Sequence, residues 1–90
     1  MFSFDLTDEL KLKIKKLLTK DKKKVEIINK KIKEIINNDS ETIKRYKNLK
    51  YDLSELKRVN IDKLFVLIFK VDFDHHDTVY WKKMSRRKII

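Results

Sequence analysis

The segment Lys63 to Val71, KLFVLIFKV, is apolar on both faces of an extended chain and rich in branched and aromatic residues. Such a strand is stable only with neighbours on both sides and a layer packed over it, so the segment predicts the central strand of a sheet lying under helices. The rest of the chain has to supply that cover.

Two upstream segments do so. Leu10, Ile14, Leu17 and Leu18 follow the i, i+4, i+7, i+8 spacing that lays one apolar stripe along a helix, which predicts a helix over about 8 to 19. Thr7 is placed to cap it, and Asp8 and Glu9 sit in the first turn, where the helix dipole favours anions. Asp21 is placed to cap a second helix, in which Val25, Ile28, Ile32, Ile35 and Ile36 keep helical spacing until the turn formers Asn37, Asn38, Asp39 and Ser40. Two amphipathic helices with a short break predict an antiparallel hairpin over about 8 to 37, its stripes in the core and its lysines in solvent.

The remaining strands read as follows. Phe2 and Phe4 alternate with polar neighbours, which predicts a short strand at 2 to 5. From Leu56 to Ile61, Val59 and Ile61 alternate with Arg58 and Asn60, a half-buried strand. Asp74 to Trp81 predicts a last strand, with Asp74, His76, Thr78 and Tyr80 on one face and His75, Asp77, Val79 and Trp81 on the other. Residues 82–90, KKMSRRKII, read as a helical end or a frayed basic arm. The expected fold class is α+β: an N-terminal strand and a two-helix hairpin packed on a small antiparallel sheet. The helices cover one sheet face and leave the other to a ligand, with Arg58, Asn60, His76 and Tyr80 on the open face. Residues 1–90 are expected to form a single domain, with no Gly- or Pro-rich linker to divide them and too little buried area in either half to fold alone.

Lys and Arg number 24 and Asp and Glu 14, a formal charge of +10, and a field of that sign concentrates polyanions at the surface. A Lys-rich surface also keeps a protein solvated, so charge alone does not choose between these roles. The absence of cysteine removes disulfides, thiolate metal sites and cysteine nucleophiles. The start, MFSFDLTDELK, lacks the apolar core of a signal peptide, and the run Leu64 to Phe69 is too short to span a bilayer. A cytoplasmic protein without a membrane partner is the expectation. Along a strand the neighbours Asp74-His75-His76-Asp77 point to alternate faces, so they do not converge on a metal, and no cofactor is expected.

The second half has a recognisable wording. KNLKYDLSELKRVNIDKLFVLIFKVD followed by DFDHHDTVYW resembles the RelE/ParE superfamily of toxins of toxin–antitoxin pairs, over residues 45 to 81. The family pattern is a Lys-rich segment, an Arg-Val strand, an apolar strand ending in Val-Asp, and a terminal Gly-His-Arg with Val-Tyr. The resemblance implies a RelE-like fold and a ribosome-dependent mRNA endonuclease that inhibits translation. Such an enzyme works without metal, by in-line attack of a ribose 2′-OH on the next phosphate. It further implies as partners a RelB-like antitoxin, the ribosome and mRNA, with operator DNA reached only through the antitoxin complex.

Carried over by position, the catalytic candidates are Arg58, His75, His76 and Tyr80, and the RNA-binding candidates are Lys47 and Lys50. Arg86, Arg87 and Lys88 join the RNA-binding set from their charge. Alternation ranks His76 above His75 and makes Tyr80 the base-stacking ring, with Trp81 in the core. Lys57 falls on the side of Val59 and Ile61, where it snorkels at the sheet edge. The sequence departs from the pattern in three ways. His76 replaces the arginine after the histidine, and Val66 stands where many members carry a second arginine. Val71-Asp72 also runs straight into Phe73-Asp74, leaving the sheet one strand short. A lost strand reverses the direction of the next segment and takes His75, His76 and Tyr80 away from Arg58, unless residues 63 to 81 instead form one long bent strand or a tight hairpin about Val71 to Asp74. The alternative function is a RelE-fold protein that binds antitoxin and nucleic acid with weak catalysis or none.

Overall fold

A computed structural model of the chain describes residues 2–49, 55–74 and 77–86. Strand β1 is Ser3–Leu6, helix α1 Asp8–Lys20 and helix α2 Lys22–Ile36, and a 3-10 turn at Ile43–Arg45 follows. Strand β2 is Lys57–Asn60, β3 Phe65–Asp72 and β4 Thr78–Arg86.

The helices start where their caps allow. The Thr7 hydroxyl accepts a hydrogen bond from the Leu10 N–H at 3.3 Å and donates one to the Lys82 carbonyl at 2.7 Å, so one side chain both caps α1 and ties it to β4. Asp21 is the only residue between the helices. Its backbone, at φ −147° and ψ 81°, breaks the helical path, and its carboxylate accepts from the Lys24 N–H at 3.1 Å to begin α2.

The four strands form one sheet in the order β1-β4-β3-β2. β3 is therefore flanked on both sides, as its two apolar faces require. β2, β3 and β4 are the antiparallel part of the sheet, while β1 joins β4 in parallel, Ser3 opposite Thr78 and Leu6 opposite Trp81. The small antiparallel sheet read from the sequence is thus part of a mixed one. Residues 63 to 81 do form a hairpin, but not a tight one about Val71 to Asp74: Val71 and Asp72 still pair with Val79 and Thr78, so β3 ends at Asp72 and β4 begins at Thr78. Asp77 takes φ 47° in that turn, a left-handed position that aspartate tolerates better than most residues and that this chain, without glycine, has to fill otherwise.

The last strand begins and ends later than predicted. Residues 82–86 are neither a helical end nor a frayed arm; they continue β4, in which residues 83–86 pair with Phe65–Ile68. A β-bulge explains the misreading. Ile68 lies opposite Lys83 and Phe69 opposite Trp81, which leaves Lys82 as an extra residue in β4. Val79, Trp81 and Met84 therefore share the helix-facing side although the last two are three residues apart, a spacing that imitates a helix.

The core lies between the helices and that face. Leu10, Ile28, Ile35, Ile43, Leu67, Phe69, Val79 and Trp81 are fully buried. The Phe69 and Trp81 rings stand 5.0 Å apart, and Tyr46 meets Phe69 edge-on at 5.9 Å. Burying each such ring contributes about 2–3 kcal/mol. At one end Lys24 lies over the Phe65 ring at 4.2 Å and meets Asp62 at 3.4 Å, while Asp62 accepts from the Leu64 and Phe65 N–H groups. This links the start of α2 to the β2–β3 turn. No helix among the described residues is long and apolar enough to cross a membrane.

Candidate functional site

The open face of the sheet begins at an added edge. Residues 47–49 lie antiparallel against β2: Asn48 pairs with Lys57, the Arg58 N–H donates to the Lys47 carbonyl at 3.0 Å, and the Leu49 N–H donates to the Leu56 carbonyl at 2.8 Å. That register sets Lys47 directly opposite Arg58, and directly opposed residues share a face. Around them is a cleft of about 300 Å³ lined by Arg45, Tyr46, Lys47, Arg58, Val59 and Asn60. Three of the six carry positive charge and none is acidic.

Arg58 and Lys47 are both exposed. Among the described residues Arg58 makes no ion pair; Glu55, one partner a surface role would give it, instead meets Lys70 at 3.3 Å. The other such partner, Asp52, lies outside the described residues. A cation that no carboxylate among the described residues pairs with is available to an anionic ligand.

Register carries the open face across the sheet. Arg58 lies opposite Ile68 and Asn60 opposite Val66, and these lie opposite Lys83 and Ser85 in turn, while Lys70 lies opposite Tyr80. Val66 and Ile68 are buried yet outside the main core, and they floor this face. Two strand spacings of about 4.8 Å and two residue rises of about 3.3 Å put the Cα atoms of Arg58 and Tyr80 roughly 12 Å apart. Long side chains from both sides can converge across that distance on one nucleotide. Tyr80 is half-buried, Trp81 fully buried, as alternation requires.

The predicted residues divide into three groups. Arg58, Lys47 and Tyr80 share the open face, the first two in direct apposition. Arg86 does not join them: it lies opposite Phe65, on the same side of β4 as Met84, which packs against the core. Lys50, His75, His76, Arg87 and Lys88 lie outside the described residues. Two cations were missed. Arg45 sits in a 3-10 turn, where no periodicity assigns it a face. Lys83 reaches the open face only because the bulge shifts the phase of β4; the signal was the three-residue step from Trp81 to Met84.

Lys57 points to the other side of β2. Its ammonium donates to the Tyr46 carbonyl at 3.1 Å, the Lys44 carbonyl at 3.4 Å and the Asn48 Oδ1. Burial pushes its pKa below the ordinary lysine value. The edge position foreseen for this residue is correct, and its charge is spent on the chain around the cleft.

Comparison with known proteins follows the same line. No family model matches the chain. A protein of Methanocaldococcus jannaschii named "Putative toxin RelE4" is 42% identical over 93 residues, covering 92% of this chain and 95% of that protein. An uncharacterized protein of Methanosarcina mazei is 43% identical over 90 residues, covering 89% of this chain and all of the relative. Among solved structures, the YoeB/ParE toxin from Agrobacterium tumefaciens superposes with a TM-score of 0.76 at 13% identity, over 97% of this chain and 100% of that one. A chain of the YoeB–YefM complex from Staphylococcus aureus gives 0.70 at 20% identity, over 100% of this chain and 99% of that one. At those identities the structures speak for the fold alone.

Proposed function

This chain belongs to the RelE/ParE superfamily of toxins of toxin–antitoxin systems, and from that premise we propose that it cuts mRNA on the ribosome, with the Lys47–Arg58 cleft as its phosphate site. The observation that carries the reading is the apposition of Lys47 and Arg58 across the edge of β2, with Arg45 beside them and no carboxylate among the described residues of the lining. Cleavage by in-line attack of a ribose 2′-OH on the adjacent phosphate breaks the bond to the 5′-oxygen and leaves a cyclic phosphate. Negative charge grows on the phosphate oxygens along the way, and fixed cations already aimed at that position lower the barrier. Arg58 and Lys47 fill this role. Tyr80 offers its ring to a base, and its hydroxyl is a proton donor within the same face. The carried-over histidines, His75 and His76, are the candidates for the proton transfers, since imidazole titrates near neutrality.

The partner that keeps such a protein silent is an antitoxin, and a cleft of this charge fits an acidic segment laid across it. The test is to incubate the protein with translating ribosomes and a defined mRNA and to map the 5′ ends. Cuts within the ribosome-bound codon are expected, reduced about 10²–10³-fold by Arg58→Ala, the usual effect of losing one group that stabilises the transition state. Uncut mRNA from a folded protein that still binds its antitoxin would select the binding role instead.

A further inference from the structure

The cleft presents a problem of like charges. Lys47 and Arg58 stand directly opposite one another and Arg45 lines the same space, an arrangement that repels itself in the absence of a ligand. The segment carrying two of these cations is joined to β2 by two backbone hydrogen bonds among the described residues, Arg58 to Lys47 and Leu49 to Leu56. Something has to hold the strip in place.

We propose that Lys57 is a positioning residue: bound to oxygens of Lys44, Tyr46 and Asn48, it fixes the strip that carries Arg45 and Lys47 beside Arg58. The inference rests on the reading of this cleft as the RNA site. An ammonium has three donors, and Lys57 has three acceptors, drawn from residues on both sides of Arg45 and Lys47. It lies on the face opposite Arg58, so its own charge does not reach a phosphate in the cleft. Its work is done through the backbone, by keeping the cations ordered before RNA arrives, so that binding does not bear the cost of arranging them.

A residue that positions two phosphate contacts has a signature that a direct contact lacks. The variants are Lys57→Met, which keeps the stem and removes the donors, and Lys57→Arg, which keeps charge and donors. Lys16→Met, on the exposed side of α1, matches the change in net charge. Each is titrated with a short single-stranded oligoribonucleotide at several salt concentrations, and amide exchange is followed in parallel.

Lys57→Met is expected to weaken RNA binding about tenfold and to flatten the salt dependence by more than the roughly 0.7 that one single-strand phosphate contact carries. Lys57→Arg should recover most of the loss, and Lys16→Met should show little. The Arg58 and Leu49 amides should exchange faster in Lys57→Met, while those of β3 and β4 keep their protection. In an Arg45→Met/Lys47→Met background the same change should add nothing, because the cations it places are gone. Additive losses, or unchanged exchange at Arg58 and Leu49, would overturn the assignment. Absence of mRNA cleavage by the unaltered protein would instead remove the nuclease reading, and the exchange and affinity measurements would still decide the role of Lys57.

Discussion

Trp81 is fully buried, and its indole N–H meets no acceptor among the described residues. An unpaired buried donor costs about 1–3 kcal/mol, which is lost stability that a side chain of similar shape without the N–H would recover. Trp81→Phe is that substitution. The smaller ring leaves a void on the order of 40 Å³, which at about 24 cal/mol per Å³ costs about 1 kcal/mol, and the lost apolar contact adds a similar amount. The two effects oppose each other at comparable size, so the net change should lie within about 1 kcal/mol of zero. Phe69→Ala, in contact with the same ring, has no compensating gain and should cost about 3–5 kcal/mol. Urea unfolding measures both. Far-UV circular dichroism is the proper probe, because Trp81 is the only tryptophan and its removal abolishes the fluorescence signal. A loss of about 3 kcal/mol or more for Trp81→Phe would refute the reasoning and mean that the N–H is satisfied, for instance by a buried water.

Further expectations concern the caps. Hydrogen bonds from Leu64 and Phe65 and the Lys24 ammonium hold the Asp62 carboxyl below its ordinary range. A depressed carboxylate contributes stability that is present above the unfolded pKa and is lost as pH falls through the folded one. Stability should therefore fall from about pH 4 downward, and urea midpoints across that range should fall less steeply in Asp62→Asn. Thr7→Val keeps the shape of residue 7 but removes both its hydrogen bonds, and should lower stability by about 1–2 kcal/mol in the same assay. Thr7→Ser should retain most of it.

What could be read from the sequence was what is local. The two helices, the break at Asp21 and the caps at Thr7 and Asp21 follow from spacing and from side chains that reach their own backbone. β3 announced itself by having no polar face. The choice of Arg58 over Lys57 for the open face needed only alternation along four residues. The parts that escaped depend on pairing. A single extra residue at Lys82 turned a strand into an apparent helical end, and so hid Lys83 and misassigned the segment that carries Arg86. The apposition of Lys47 and Arg58 depends on an edge formed by residues that have no strand pattern of their own. The parallel placement of β1 beside β4 had no local signal, because its partner is far away in the chain.

That last pairing has a consequence for synthesis. β1 is made first, yet it acquires its neighbour only when β4 exists, and the Thr7 hydroxyl reaches a carbonyl 75 residues on. Closing a loop of that length costs about 4 kcal/mol before any contact offsets it. During translation the helix hairpin can form early, but its apolar stripe has no complete sheet to lie on until β4 has emerged. An unfinished chain thus lacks the strand on which the helix stripe packs, and the open face that runs from Lys47 and Arg58 to Tyr80 is complete only once β4 has emerged.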